Sequence, residues 1–546
     1  MKRSILIGGE AGRGVDRTAA LIAEIFSDCG YFCFVYRDYG SFIKGGHNFS
    51  VVTISSEPVF SHEDEFDLII ALDNSALEKH VESLKPSGKV FLNSDEKQSA
   101  ENVISVAADG FAADKKVGRS FGNNIFIGAV LGCFGLDWRR GFKAIGGRFS
   151  AGDAAVVKEA LRLGHETWRG ESFGFEPKSQ KLKISTGNQA AAKACVEAGL
   201  DLCFAYPITP ATGFVDALSQ SGKVTVHQPE DEIAAVNQTL GAVFSGAMAA
   251  TATSGEGAAL MAESFSLAAM AEIPFVLYWA SRLGPSTGVP TYSGQGDLKF
   301  ALNIGHGEFP RVVVAPGDAN ESYSRTMEAF YFAYKYRLPV VILTDKNLAE
   351  SYYNFEALPS LLRPGKFLVK PKAGYKSYAF TENGISPRLA PGQGPIVRAT
   401  SYEHDECGLT VEDPETIEAM SEKRWRKAKF LEKEIAKLHP CRLYGKGKNL
   451  IVGWGSTKGA VIDALKRLPG YSFLQISYVA PFPAREVEKI ISKAKRTILL
   501  ENNSTGLLGR IIREETGIEI KEKLLKNNGR PFTAEEIAKR LQNRYA

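Results

Sequence analysis

Three consecutive acids, Glu230 to Glu232, follow a proline and precede the apolar run 233–235. Acids in the first turn of a helix interact favourably with the helix dipole, by about 0.3–1 kcal/mol each, so a structural role explains the cluster by itself. Glu232 adjoins the apolar run, and it is the acid that we expect to point into an apolar interface. The pattern leaves two interpretations open for Glu232, a helix-start charge or an acid placed for chemistry.

Thr209 lies between two prolines in the segment YPITP, residues 206–210. Because proline restricts the backbone, the Thr209 hydroxyl could be held for a ligand with little loss of entropy on binding. The alternative is that Pro210 starts a helix and Thr209 caps it.

Arg282 follows an apolar strand pattern at 274–279. Ligands of α/β domains collect outside the carboxyl ends of strands, and arginine can bind a carboxylate through two parallel hydrogen bonds. A surface arginine is the alternative interpretation of the same pattern.

Two glycine-rich segments near the N-terminus could bind phosphate. In the first, residues 8–14, Gly12 and Gly14 would expose backbone N–H groups at the start of a helix. The second, residues 39–47, places Lys44 beside flexible backbone. Neither segment has the spacing of a dinucleotide fingerprint or a Walker loop, so tight turns without a ligand are the alternative for both.

Strand and helix patterns that could position these residues alternate along most of the chain, which at 546 residues is too long for one core. We therefore predict a multidomain α/β fold, in which a proline-punctuated stretch with one charged helix pattern interrupts the alternation. The strand patterns nearest to the candidate residues are 202–205, 248–254, 274–279, 311–315 and 339–343.

Composition excludes several classes of function. The 66 basic and 62 acidic residues are spread along the chain, which argues against a nucleic-acid partner. No apolar stretch reaches the roughly 20 residues that a membrane helix needs, and the N-terminus lacks a signal-peptide core, so we expect a cytoplasmic protein without membrane contact.

The seven cysteines contain no Cys-x-x-Cys pair. We therefore predict no metal site in this chain and expect any iron–sulfur cluster elsewhere.

Taken in order, several segments resemble the fused γ–α subunit of the 2-oxoacid:ferredoxin oxidoreductases, in the 2-oxoglutarate:ferredoxin oxidoreductase branch. The matching segments are GGEAGRGV at 8–15, YGSFIKGG at 39–46, YPITP at 206–210, EDEIAA at 230–235, TATSG at 251–255, GPSTG at 284–288, GHGEFPR at 305–311, GISPR at 384–388, EHDE at 403–406, ENN at 501–503 and GRPFT at 529–533.

The resemblance implies a division into domains and an activity. The domains are a γ-type α/β domain at 1–180, a pyrimidine-binding thiamine diphosphate domain at 181–355, a connector at 356–444 and a transketolase C-terminal-like domain at 445–546. The implied reaction is the oxidative decarboxylation of a 2-oxoacid to acyl-CoA and CO2, with electrons passed to ferredoxin and coenzyme A as co-substrate.

The resemblance also implies partners. Family members hold Mg²⁺ and the cofactor diphosphate through a Gly-Asp-Gly motif, and this sequence has none. Mg²⁺ and [4Fe-4S] clusters are therefore expected in a β-type subunit, in an (αβ)2 heterotetramer that passes electrons to ferredoxin. Two alternatives are a coenzyme A-independent enzyme of the oxalate type and a non-catalytic regulatory subunit of a thiamine enzyme.

By resemblance, Glu232 faces N1′ of the cofactor aminopyrimidine and is the catalytic acid. The other roles that the family implies are cofactor contact for Thr209 and Gly255, substrate binding for Thr209, Arg282, Ser286 and Thr287, and coenzyme A binding for Gly12, Gly14 and Lys44.

Tyr292 marks a departure from the family, which has lysine after Pro-Thr in this branch. Tyrosine can donate a hydrogen bond but cannot neutralise a buried charge. Unless His306 or Arg311 supplies a cation, we expect a preference for a monocarboxylic 2-oxoacid. Smaller departures are Leu283 for glycine, Lys44 for arginine and Leu507 for glutamine.

Overall fold

The structure, a computed structural model, describes residues 1–41, 46–96, 100–176, 178, 180–357 and 362–543. Contacts within the chain divide it into two units. The first comprises Met1–Ser185, Ser351–Glu356 and Thr533–Ala546, and the second comprises Thr186–Glu350 and Ala357–Phe532. None of the described helices is both long and apolar enough to cross a lipid bilayer.

The first unit is built on an eight-stranded sheet with the order β6-β5-β4-β1-β3-β2-β14-β7. Its strands are β1 (Lys2–Glu10), β2 (Phe32–Asp38), β3 (His47–Ser55), β4 (Phe66–Ala71), β5 (Leu84–Asn93), β6 (Val103–Val106), β7 (Ile184–Thr186) and β14 (Tyr352–Asn354). Its helices are α1 (Val15–Asp28), α2 (Asn74–His80), α3 (Ala108–Asp114), α4 (Arg119–Gly122), α5 (Asn124–Phe134), α6 (Trp138–Ile145), α7 (Ala151–Thr167) and α20 (Ala534–Gln542), with single 3₁₀ turns at Val81–Ser83 and Gly146–Arg148.

The first glycine-rich segment is only partly a loop, which corrects the prediction of a loop from residue 8. Strand β1 continues through Glu10, because its last three residues pair with the first residues of β3, from Phe49 to His47. The turn into α1 is therefore confined to residues 11–14.

The second unit contains two sheets, one of seven strands and one of five. The strands are β8 (Leu202–Phe204), β9 (Thr225–His227), β10 (Ala249–Thr253), β11 (Phe275–Ser281), β12 (Val312–Val314), β13 (Pro339–Asp345), β15 (Cys441–Gly445), β16 (Asn449–Trp454), β17 (Tyr471–Ile476), β18 (Tyr478–Ala480), β19 (Arg496–Glu501) and β20 (Glu522–Leu525). The helices are α8 (Gly187–Ala198), α9 (Thr212–Gln220), α10 (Glu232–Phe244), α11 (Gly255–Leu260), α12 (Ala262–Met270), α13 (Leu298–Asn303), α14 (Ala319–Tyr336), α15 (Lys346–Glu350), α16 (Pro414–Ile435), α17 (Thr457–Leu465), α18 (Ala484–Ile491) and α19 (Leu507–Thr516), with a 3₁₀ turn at Ala436–Leu438.

The seven-stranded sheet has the order β18-β12-β13-β11-β10-β8-β9 and is parallel except at its β18 edge. Every residue of β11 and β13 is buried. Continuous apolar runs of this kind are typical of parallel strands covered by helices on both faces. The five-stranded sheet has the order β15-β17-β16-β19-β20.

The charged helix pattern predicted within the proline-punctuated stretch is present as α16, which packs through two buried lysines. Lys423 and Lys427 both bind the carboxylate of Glu272, and all three side chains are almost fully inaccessible. Burial lowers the pKa of Lys423 to about 8, and the Glu272 carboxylate opposes that shift. Burial by itself would raise the pKa of Glu272, but the charges of Lys427, Lys423 and Arg337 hold it below its usual range.

Candidate active site

The candidate residues in the second unit lie at one edge of the parallel sheet. Thr209 follows β8, Glu232 follows β9, Gly255 follows β10 and Arg282 follows β11, in a sheet where these four strands are neighbours. Since the carboxyl ends of parallel strands meet at the same edge, the fold collects these residues although they are far apart in the sequence.

Asp231 and Glu232 have different roles at the start of α10. Asp231 is the N-cap, and its carboxylate accepts the N–H of Ala234 at 2.7 Å. Glu232 is only 7% exposed, and among the described residues its carboxylate has no hydrogen bond or ion pair with another side chain. The capping role therefore belongs to Asp231, which leaves the buried carboxylate of Glu232 available to a ligand.

The absence of a side chain at Gly257 makes room for Glu232 and Thr253. A Cβ atom built at Gly257 would come 2.7 Å from Oε1 of Glu232 and 2.1 Å from Oγ1 of Thr253, so the acid lies against the first turn of α11. The Thr253 hydroxyl is fully buried and has no hydrogen-bond partner within the described part of the chain. A substitution at Gly257 would displace the acid or the hydroxyl.

Thr209 does not cap a helix, so that alternative is wrong. Helix α9 begins at Thr212 with Ala211 as its N-cap, and the peptide bond between Thr209 and Pro210 is cis. Asn188 anchors the segment, because its side-chain amide donates to the carbonyl of Pro210 at 3.0 Å. The half-buried side chain of Thr209 therefore makes no capping hydrogen bond to α9.

Arg282 is buried and paired within the chain. Its Nη1 donates to the main-chain carbonyl of Thr209 at 2.9 Å, and its Nη2 forms an ion pair with Oε1 of Glu256. Burial lowers the pKa of Arg282, and the charge of Asp297 opposes that effect. The surface-arginine alternative is therefore wrong. Glu256 carries no signal in the sequence that would mark it as a site residue, since an acid after the first residue of a helix has no distinctive spacing.

Gly255 allows a close approach by Asp297, a second acid that sequence reasoning missed. A Cβ atom at Gly255 would come 2.8 Å from Oδ2 of Asp297. The same oxygen accepts hydrogen bonds from Trp279 Nε1 at 3.1 Å and from Ser281 Oγ at 2.8 Å. Burial raises the pKa of Asp297. Packing against Asp297 therefore favours glycine at position 255, independently of any ligand.

Ser286 and Thr287 lie on an exposed loop beyond Arg282. The loop is closed by an antiparallel bridge between Leu283 and Val289. No hydrogen bond among the described residues joins either hydroxyl to Glu232, Thr209 or Arg282. Substrate binding by these two residues therefore stays a prediction.

A cation lies over Tyr292, and it is neither of the two that we expected. The guanidinium carbon of Arg530 is 3.6 Å from the centroid of the Tyr292 ring. The Tyr292 carbonyl accepts the N–H of Leu283 at 3.1 Å, which places this pair next to the residue after Arg282. The expectation that only His306 or Arg311 could supply a positive charge here was wrong, because Arg530 comes from a distant part of the sequence.

His306 and Arg311 make other contacts. His306 is exposed, and its main-chain N–H donates to Ser266 Oγ at 2.7 Å. Arg311 donates to the carbonyl of Ile304 at 2.5 Å and lies over the ring of Phe309. Burial lowers the pKa of Arg311 to about 10.

The candidate coenzyme A residues belong to the first unit. Gly12 and Gly14 have φ values of +89° and +83°, so each has a backbone conformation that favours glycine. The side chain of Arg13 between them donates to the carbonyl of Leu72 and to Asp109. Lys44 lies outside the described residues. These conformations support the turn interpretation, and coenzyme A binding stays a prediction.

No group of three or more His, Cys, Asp or Glu side chains in the described ranges is arranged to hold a metal ion.

Two family models match most of the chain. Residues 193–423 match the model described as "Pyruvate flavodoxin/ferredoxin oxidoreductase, thiamine diP-bdg", and residues 4–167 match the model described as "Pyruvate ferredoxin/flavodoxin oxidoreductase".

Relatives extend the similarity to nearly the full length. A protein of Saccharolobus solfataricus named "2-oxoacid:ferredoxin oxidoreductase subunit alpha" is 32% identical, covering 98% of this chain and 97% of that protein. One of the same name from a Sulfolobus species is 31% identical over 99% of this chain and 96% of its own length. The solved structure of the 2-oxoglutarate:ferredoxin oxidoreductase from Magnetococcus marinus, with 2-oxoglutarate, coenzyme A and succinyl-CoA bound, superposes with a TM-score of 0.89 at 28% identity and covers 99% of both chains.

Proposed function

The chain belongs to the 2-oxoacid:ferredoxin oxidoreductase family as an α subunit, and we propose that with a β-type subunit it oxidatively decarboxylates a 2-oxoacid to acyl-CoA and CO2, passing the electrons to ferredoxin. The observation that carries the proposal is the buried carboxylate of Glu232, held at the carboxyl edge of a parallel sheet and unused by the protein itself.

The residues around Glu232 suit the aminopyrimidine of thiamine diphosphate. A carboxyl group can share a proton with a ring nitrogen, and the unpartnered hydroxyl of Thr253 offers a second polar contact beside it. When bound, the cofactor supplies the carbon nucleophile that attacks the 2-oxo group and accepts the electrons left by CO2. The task of Glu232 is to hold a proton at N1′ and so promote the ionisation that activates the cofactor.

Arg282 supports binding of the substrate carboxylate. It lies at the end of β11, one strand away from β10, whose last residue Thr253 adjoins Glu232. A buried guanidinium binds a carboxylate far more strongly than a surface one does. Asp297 adds a negative charge beside it, which favours the arginine in its charged form.

Arg530 bears on which 2-oxoacid is used. Because its charge lies over Tyr292, the absence of a lysine at position 292 no longer argues against a second carboxylate on the substrate. Monocarboxylic and dicarboxylic 2-oxoacids are both candidate substrates, and Arg530 is the residue that we propose discriminates between them.

The β-type subunit is proposed to supply Mg²⁺, the diphosphate site and the [4Fe-4S] clusters, in an (αβ)2 assembly. Coenzyme A binding is proposed for the first unit, through Gly12, Gly14 and Lys44.

The test is to co-express the chain with a β-type subunit and follow the reduction of ferredoxin or of a viologen dye. Pyruvate, 2-oxoglutarate, a branched-chain 2-oxoacid and an aryl-pyruvate are compared, each with and without coenzyme A. Dye reduction that requires a 2-oxoacid supports the proposal, and acyl-CoA formation separates it from a coenzyme A-independent enzyme. A co-purified pair that reduces the dye neither with any of the four acids nor with oxalate would identify a non-catalytic subunit.

A further inference from the structure

Arg282 forms an ion pair with the carboxylate of Glu256. In the proposed function, the same guanidinium binds the carboxylate of the substrate. Arg282 is the deeper partner, with 7% of its side chain accessible against 28% for Glu256. Of the two, Glu256 therefore has the room to move away while Arg282 stays in place.

One nitrogen of the Arg282 guanidinium is buried without a hydrogen-bond partner among the described residues. Nη1 binds the carbonyl of Thr209 and Nη2 binds Glu256, while Nε is buried and has no hydrogen-bond partner within the described residues. Nε and Nη2 form one edge of a guanidinium, and a carboxylate that binds this edge takes both of them. Glu256 takes only Nη2, so the pairing is incomplete.

Glu256 and a substrate carboxylate cannot share this edge. Asp297 already contributes a negative charge next to Arg282. A substrate carboxylate beside Glu256 and Asp297 would be an uncompensated charge in a poorly solvated place. Binding of the substrate therefore requires that Glu256 leave the guanidinium.

The other oxygen of Glu256 is held independently of Arg282. Ser254 donates its hydroxyl to Oε2 at 2.8 Å. This hydrogen bond comes from the residue just before α11, on the same short segment as Glu256 itself. It can retain the displaced carboxylate near the site after the ion pair opens.

We propose that Glu256 is a displaceable internal carboxylate that occupies Arg282 until the carboxylate of the 2-oxoacid replaces it. This inference rests on the proposed function, because it takes Arg282 as the substrate's anchor. Only those protein molecules in which Glu256 has left Arg282 can bind the substrate carboxylate. The substrate is therefore bound more weakly than it would be if Glu256 were absent. Glu256 is a positioning residue that sets KM, and it takes no part in the chemical step.

The direction in which KM changes when Glu256 is substituted distinguishes competition with the substrate from simple positioning of Arg282. If Glu256 competes with substrate, Glu256→Gln and Glu256→Ala lower the KM for 2-oxoacids by about threefold or more and leave kcat nearly unchanged. If Glu256 merely orients Arg282, both substitutions raise KM. Glu263→Gln, which changes an exposed acid on the next helix, is the matched control and should alter neither constant.

The experiment uses the co-purified complex with its β-type subunit. KM and kcat are measured for pyruvate and 2-oxoglutarate, and binding of each acid is measured by calorimetry without coenzyme A or an electron acceptor. In an Arg282→Ala background, Glu256→Gln should no longer change KM, because the competition acts through that guanidinium. An unchanged or raised KM in both Glu256 variants, or a lowered KM that persists without Arg282, overturns the inference. Failure of the proposed function would look different, because the unsubstituted complex would then oxidise none of the acids.

Discussion

Asp231 and Glu232 are adjacent acids at the start of one helix, and only the first of them caps it. Asp231 accepts the N–H of Ala234 at 2.7 Å, while the buried carboxylate of Glu232 lies against Gly257 in the first turn of α11. The two neighbouring acids thus have different surroundings, and substitutions should show whether their roles differ too.

We expect Glu232→Gln to lower kcat by at least roughly 10²-fold with an unchanged melting temperature, because it removes a proton-transfer group and no helix cap. Asp231→Ala should do the reverse, lowering the free energy of unfolding by about 1 kcal/mol with a much smaller effect on kcat. Steady-state kinetics and thermal unfolding of the two variants check this. Near-normal turnover in Glu232→Gln would return Glu232 to a helix-start role.

Arg282→Ala should reduce kcat/KM by roughly 10- to 100-fold, mainly through KM, since it removes a charged partner of the substrate carboxylate. Thr209→Ala should have the smaller effect, because Arg282 contacts the main-chain carbonyl of Thr209, which the substitution keeps. Kinetics of both variants with one 2-oxoacid provide the comparison. Equal losses would mean that the Thr209 hydroxyl itself contacts the ligand.

Arg530→Gln should reduce kcat/KM for 2-oxoglutarate by at least about tenfold more than for pyruvate, because only the former has a second carboxylate to pair with the lost charge. Lys521→Gln removes an exposed positive charge from the same part of the sequence and is the control. A uniform loss for both acids would assign Arg530 to the support of Tyr292 instead of to specificity.

The isolated chain should purify without visible colour and without 2-oxoacid oxidation, and activity should appear when a β-type subunit is added. Iron analysis, the visible absorption spectrum and dye reduction before and after mixing are the measurements. Turnover by the isolated polypeptide, or iron that co-purifies with it, would contradict the proposal that the clusters and the metal belong to the β-type subunit.

Glu272→Gln should lower the free energy of unfolding by about 3–5 kcal/mol at pH 7, because it leaves Lys423 and Lys427 buried without their counter-charge. Glu422→Gln, at an exposed position on α16, should change it by less than about 0.5 kcal/mol. Replacing both lysines by methionine in the Glu272→Gln chain should restore much of the loss. If it does not, the lysine charges are not the cause.

The carboxylate of Glu272 should make the free energy of unfolding depend on pH. Burial alone would raise the pKa of Glu272, but the charges of Lys427, Lys423 and Arg337 hold it below that of an ordinary glutamate in the folded chain. The contribution of Glu272 to stability is therefore fully present above the ordinary glutamate pKa and declines as the pH falls below it. Unfolding free energies measured between pH 7 and pH 3 should fall more steeply in the unsubstituted chain than in the chain that carries Glu272→Gln together with methionine at positions 423 and 427, which has no buried lysine left to titrate. Parallel curves would mean that Glu272 does not titrate in this range.

Local pattern was sufficient to locate most of the elements around the site. The strand patterns at 248–254, 274–279 and 339–343 correspond to β10, β11 and β13, because a buried parallel strand is a continuous apolar run that can be recognised without its neighbours. Thr209 and Arg282 were indicated by their places after predicted strands, whereas Glu232 was indicated by the apolar run that follows it, and β9 before it was not predicted. The local pattern placed the start of the first turn wrongly, because the pairing of Gly8 to Glu10 with β3 depends on a strand nearly forty residues away.

The sequence by itself determined which residue types follow which strands, and the tertiary structure alone decided which of them meet. Glu256 reaches Arg282, Asp297 reaches Gly255, and Arg530 covers Tyr292. Each of these contacts joins segments that become neighbours only through the spatial order of the strands or the folding back of the C-terminal part of the chain. Side-chain pairing over such distances is set by the packing of whole elements, and no local propensity or spacing in the sequence encodes it.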